Sequence, residues 1–155
     1  MARNRVGHAA RDLQETIDAA LPKLREISDA AAGEPRAPGK WSRKEIIGHL
    51  IDSASNNHQR FIRAQQTLEN NTLVFPPYDQ NHWSASQHCN GRPWTDLVRL
   101  WHAYNAHLVH VITHIGDEHL GVQCVIESDK PVTLEFLVTD YVVHLRHHLA
   151  QVGVA

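Results

Sequence analysis

The chain has 155 residues and a formal charge of −2 with histidine neutral. That length favours one domain, 1–155, with one substantial core. The balanced charge and the lack of any long basic run speak against nucleic acid or an anionic membrane surface as partner.

The first predicted helix runs from about Val6 to Ser28, where Val6, Ala10, Leu13, Ile17, Leu21, Leu24 and Ile27 recur at three- and four-residue steps. Pro22 sits inside that pattern and should kink the helix or split it. The second helix has the clearest start, "KWSRKE". Ser42 and Glu45 make a capping box, and Trp41 is placed to fold onto Ile46 as a hydrophobic staple. This helix should continue to about Thr67. The long connection 68–93 follows, with several prolines and aromatics. Tyr78, Asp79 and Trp83 in it either roof a functional cavity or merely cover one end of the core.

The third helix should start near Trp94 or Thr95 and end at "HIGDEH", with Gly116 as its C′ residue. A second connection, "LGVQCVIESDKP", has room for a short extended piece. Thr133 should cap the last helix, which carries Leu134, Val138, Tyr141, Leu145, Leu149 and Val152 inward. Four helices without a strong strand pattern predict an all-α fold, a four-helix bundle. The long links leave room for a crossover connection. No apolar stretch approaches the roughly 20 residues of a membrane span. The N-terminal "MARNRVGHAARDLQ" lacks the apolar region of a signal peptide. Cys89 and Cys124 stand in no metal-type spacing and are expected as free thiols in a cytoplasmic protein.

The 13 histidines are the unusual count. His144, His147 and His148 cluster in "DYVVHLRHHLAQ". Neutral imidazoles bind zinc and similar ions, and two of them four apart on a helix share a face. On a helical wheel of about 100° per residue, His148 lies at the edge of the apolar arc and His144 on its flank, while His147 points away. His144 and His148 are therefore the better chelate. A third ligand must come from another helix: His49 or His58 on the second, or His107, His110 or His114 on the third. Periodicity does not choose His49. His58 lies more squarely among apolar residues, whereas His49 heads a polar stripe with Ser53, Asn56 and Arg60. That stripe is either solvent-facing or the wall of a wet cavity. His110 and His114, flanked by His107, read first as a bundle flank or subunit interface.

"KWSRKEIIGHLIDSASNNHQRF" together with "DYVVHLRHHLAQ" resembles the DinB-like superfamily, which includes the YfiT-type metal-dependent hydrolases. The likeness spans nearly the whole chain, from the W-S-x-x-E start and G-H-L-x-D to H-x-x-H-H-x-x-Q. It implies a four-helix bundle with a long crossover, often a homodimer. It also implies a metal triad, matched here by His49, His144 and His148, that holds a divalent transition ion, nickel or zinc. Related members are hydrolases, thiol S-transferases or isomerase-like enzymes, so a small-molecule substrate, with or without a low-molecular-weight thiol, is expected. A non-catalytic metal-binding or stress-associated helical dimer is the alternative. Three histidines leave a coordination position for water, the pattern of catalytic rather than structural sites. Asp52, Asp140 and Gln151 lie by spacing near His49, His144 and His148 respectively, where they could orient the imidazoles. Each could equally be an ordinary helix-surface residue. Arg60 could meet an anionic substrate or pair with a carboxylate.

Overall fold

The computed structural model describes residues 6–67, 70–126 and 130–155. Residues 68–69 of the first long connection and 127–129 of the second lie outside that description. The helices in chain order are α1 (Gly7–Glu26), α2 (Asp29–Gly33), α3 (Arg43–Gln66), α4 (Gln80–Gln87), α5 (Trp94–Thr113) and α6 (Leu134–Val152). The four long ones, α1, α3, α5 and α6, form the bundle. α1 packs on α5 and α6, and α3 packs on the same two. α1 and α3 therefore sit diagonally, as do α5 and α6, and the order around the bundle is not the order along the chain. The apolar faces close on one cluster with Leu13, Phe61, Trp101, Leu108 and Leu145 fully buried within it. Among the described residues no helix is long and apolar enough to cross a membrane.

Some boundaries differ from expectation for local reasons. α1 is continuous through Pro22, which is exposed near the helix end, so the missing amide is cheap there. The first helix stops at Glu26, and Ser28 caps α2 instead, accepting from the Ala31 amide. Gly116 is not a C′ residue: α5 ends at Thr113, and Gly116 has an ordinary negative φ at the start of a 3-10 turn. Gly153, with φ of 93°, takes the left-handed position after α6.

The long connections are more structured than the sequence suggests. β1 (Thr72–Val74) pairs in parallel with β2 (Gln123–Val125), which pairs antiparallel with β3 (Val132–Thr133). The small sheet ties the two connections together. The first connection also contains α4 and a 3-10 turn, Cys89–Gly91.

Two devices fix the start of α3, and the second ties it to α6. The capping box forms as predicted: the Ser42 amide donates to Glu45 Oε2 at 2.7 Å, and the Glu45 amide to Ser42 Oγ at 3.1 Å. Arg36 Nη1, upstream of the cap, donates to the Gln151 carbonyl at 2.8 Å, and Arg43 Nε, in the first turn of α3, to the Val152 carbonyl at 3.0 Å. These cations satisfy carbonyls that the end of α6 leaves unpaired, where the helix dipole also favours positive charge. The start of α3 is thereby fastened to the end of α6.

Candidate metal centre

His49 stands in the second turn of α3, and His144 and His148 in the last three turns of α6. Packing of α3 on α6 brings them together. His144 Nε2 lies 3.4 Å from His49 Nε2 and 3.1 Å from His148 Nε2. One ring nitrogen from each of the three falls within 4.8 Å of the others. His49 is buried and the other two are half-buried.

Protonation is suppressed at all three. Burial, then the neighbouring His148 and His144, hold His49 down at about 3. Burial, then His148 and His147, hold His144 at about 4. Burial also lowers His148, against the opposing hydrogen bond from Gln151. The cluster is thus neutral imidazole, the form that binds metal.

The donor set fits a transition ion. Imidazole nitrogens bind zinc at roughly 2.0–2.1 Å, which places two ligands of one ion roughly 3 Å apart. The two separations from His144 Nε2, 3.4 and 3.1 Å, match. Proton counting agrees. His148 Nδ1 donates to Gln151 Oε1 at 2.8 Å, so its Nε2 presents a lone pair to the cluster. His144 Nε2 faces two other nitrogens and can donate to only one of them. A cation satisfies lone pairs that hydrogen bonding cannot.

Of the residues expected to orient the imidazoles, Gln151 is in place. Its amide also meets His147 Nε2 at 3.3 Å, so exposed His147 turns away as the wheel indicates but steadies Gln151. Asp52 does not take the His49 proton. Its carboxylate turns toward α4 and accepts from Gln87 Nε2 at 2.9 and 3.0 Å, while the buried His49 Nδ1 has no hydrogen-bond partner among the described residues. Burial raises the Asp52 pKa against that hydrogen bond. Asp140 does not bond His144 either; it is exposed on the wall of the adjoining cavity.

That cavity, of about 640 Å³, is lined by His49 and His144 together with Arg60, Tyr78, Asp79 and Asp140 among others. Burial decides the polar stripe of α3: Ser53, Asn56 and Arg60 are all buried with His49, and of the four His49 and Arg60 line the cavity. The 68–93 connection supplies Tyr78 and Asp79 to the wall. Trp83 is not in the wall; it backs Tyr78, with ring centres 5.1 Å apart. Trp41 lies 5.2 Å from His49, ring to ring, a contact that its placement before the cap did not reveal. Arg36 was also missed, because its partner is a backbone carbonyl 115 positions away.

The remaining histidines do not join. His58 Nδ1 meets the Tyr104 hydroxyl at 2.9 Å, and His107, His110 and His114 are exposed along α5 and its end. The two cysteines are free and buried, and burial raises both thiols, Cys124 to about 11. Neither lines the cavity.

The sequence pattern described as the DinB superfamily matches residues 12–152. A candidate metal-dependent hydrolase of Oceanobacillus iheyensis is 23% identical over 132 residues, 85% of this chain and 74% of its own length. YfiT of Bacillus subtilis, a candidate of the same description, is 24% identical over 140 residues, 89% of this chain and 77% of its own. The solved structure of YfiT, described as a probable metal-dependent hydrolase with an unusual four-helix bundle topology, superposes with a TM-score of 0.80 at 21% identity. It covers 94% of this chain and 82% of that one. The mycothiol-dependent maleylpyruvate isomerase shares the fold with a TM-score of 0.74 at 13% identity, over 96% of this chain and 60% of that one.

Proposed function

The chain belongs to the DinB superfamily, and on that premise we propose that it is a metal-dependent hydrolase of a small molecule, with nickel or zinc held by His49, His144 and His148. The observation that carries this reading is the convergence of three neutral imidazoles, two of which line a cavity of small-molecule size. When bound, the ion supplies Lewis-acid chemistry, acidifying a water or thiol ligand or polarising a carbonyl. The chain's own residues do the rest. Gln151 fixes the tautomer of His148. Arg36 and Arg43 hold the end of α6, with its two histidines, against α3. Tyr78, Asp79 and Asp140 line the cavity beside the histidines.

A thiol-dependent transferase or isomerase is the second reading, favoured by the fold shared with the mycothiol-dependent enzyme. In both, the cavity next to His49 and His144 favours turnover over a non-catalytic metal-binding dimer. The family resemblance supports a homodimer, and two free cysteines support a cytoplasmic location.

Metal content and thermal stability test the proposal. Purified protein should carry near-stoichiometric transition metal. Nickel or zinc at about 100 times Kd should add about 2.7 kcal/mol to stability, or about 5–10 °C in Tm for a chain of this size. His144→Ala should abolish the shift and His147→Ala should retain it. Absence of metal, with Tm indifferent to both ions, refutes the proposal. Screens with ester and amide substrates, and with low-molecular-weight thiols plus electrophiles, then separate the two readings.

A further inference from the structure

We propose that α5 carries a second metal site on the bundle surface, in which His110 and His114 chelate a divalent copper, nickel or zinc ion at the end of the helix. The site is separate from the centre on α3 and α6 and does not depend on it.

Of the 13 histidines, only two pairs stand four apart: His144 with His148, and His110 with His114. That spacing sets two side chains on one helix face, a turn apart. His110 is in the last turn of α5 and His114 is its C-cap. Both are exposed, and their ring centres lie 4.3 Å apart. The rings of His144 and His148 are 4.5 Å apart, with Nε2 atoms at 3.1 Å. The pair on α5 is therefore as closely set as the pair on α6.

The tautomer of His114 is also fixed. Its Nδ1 lies 2.8 Å from the His110 carbonyl oxygen. A carbonyl only accepts, so Nδ1 carries the proton and Nε2 of the neutral ring presents a lone pair. A ring N–H held by a backbone carbonyl is a common way of setting a ligating histidine. The bond has a local cause. The His114 amide turns to the Val111 carbonyl at 3.1 Å, so the ring takes the carbonyl that a continuing helix would have paired with that amide. The exposed His110 ring can turn to present either nitrogen.

The place favours a cation as well, because the last carbonyls of α5 form the negative pole of the helix dipole. Imidazole suits copper, nickel and zinc, and the positions not taken by the pair go to water. The next histidine back, His107, has its ring 6.5 Å from His110 and 5.1 Å from His58, so the chelate is the pair alone.

Copper(II) is the probe, since it binds such ligands most tightly among divalent first-row ions, and its electron paramagnetic resonance counts bound nitrogens. The full-length double variant His144→Ala/His148→Ala, which lacks the other pair, is titrated at mildly alkaline pH, where free imidazole is neutral. It should still bind one equivalent of copper through two imidazole nitrogens. Adding His110→Ala or His114→Ala should weaken that binding at least about tenfold, because the second ligand of a chelate acts at high effective concentration, and should leave a single nitrogen on the copper. Adding His107→Ala should leave both count and affinity nearly unchanged. His110→Ala is the decisive variant, because it keeps the carbonyl that holds the His114 ring. If the double variant binds no two-nitrogen copper, or if folded His110→Ala keeps the full affinity, the site is refuted, whatever the parent protein binds at its interior histidines. Should the double variant not fold, His110→Ala in the parent background decides: loss of one copper equivalent supports the site, and unchanged uptake overturns it.

Discussion

Gly48, immediately before His49, offers a sharp test of how α3 is seated. A Cβ built there would lie 2.4 Å from Cys89 Sγ and 3.3 Å from Cys89 Cβ. Ordinary contacts lie at roughly 3.5–4.0 Å, so Gly48→Ala forces the sulfur more than 1 Å away. Cys89 is 4% exposed, within the 3-10 turn that closes the first long connection, so it has little room to retreat. Overpacking of this kind costs about 1–3 kcal/mol. Alanine returns about 1 kcal/mol of helix propensity. The net effect of Gly48→Ala is therefore a loss of about 0–2 kcal/mol. In a Cys89→Ala background the sulfur is gone, and the remaining 3.3 Å contact needs only a few tenths of an ångström of relief. There Gly48→Ala should be stabilising by about 1 kcal/mol, which makes the coupling between the two sites about 1–3 kcal/mol, the overpacking that the sulfur imposes. Urea unfolding of the four metal-free proteins closes the cycle. A coupling below about 0.5 kcal/mol would refute the claim that the sulfur is why this position is glycine.

Gln151→Leu should weaken nickel or zinc binding by about 10–100-fold, the usual cost of losing a hydrogen bond that orients a ligating imidazole, with Tm of the metal-free protein nearly unchanged; competition with a chelator measures it. Asp52 gives a pH signature. Its folded pKa is raised by burial above the ordinary 3.8, so between those values the folded state binds more protons than the unfolded, and stability rises as pH falls. Asp52→Asn should therefore be more stable than the parent at neutral pH, the gap closing as pH drops toward 3.8; a gap that widens on acidification refutes the burial argument.

The sequence makes the four long helices legible because each presents an apolar stripe to one cluster. It is poorer where a helix is buried on more than one side. α3 buries Ile46, Ile47, Leu50 and Phe61, and equally His49, Ser53, Asn56 and Arg60. A polar stripe at helical spacing looks the same whether it meets water outside the bundle or a wet cavity within it, so periodicity ranks His58 above His49. The wheel does separate His147 from His144 and His148, because α6 has exposed positions on its outer side to compare against. Strands of two or three residues carry too little alternation to be seen, which hides β1, β2 and β3. Gly116 and Gly153 illustrate another limit. Both follow a helical pattern, but only the second adopts a positive φ, and that depends on the path taken afterwards.

The stripe that periodicity leaves open is buried, and α3 lends both His49 and Arg60 to one cavity. His49 stands near its start and Arg60 three turns on, and the asparagines between them satisfy their own amides within the helix. Asn56 Nδ2 bonds the Asp52 carbonyl at 2.9 Å and Asn57 Nδ2 the Ser53 carbonyl at 2.9 Å. These amides find acceptors within their own helix, so burial does not strand those donors. At the other boundary, Arg36 and Arg43 complete the carbonyls of α6 and hold His144 and His148 opposite His49. Three neutral imidazoles held that close gain little from one another until a cation arrives. The packing of α3 on α6 sustains the arrangement beforehand, so an ion bound there would meet a preorganised site and spend little of its binding energy on ordering the ligands.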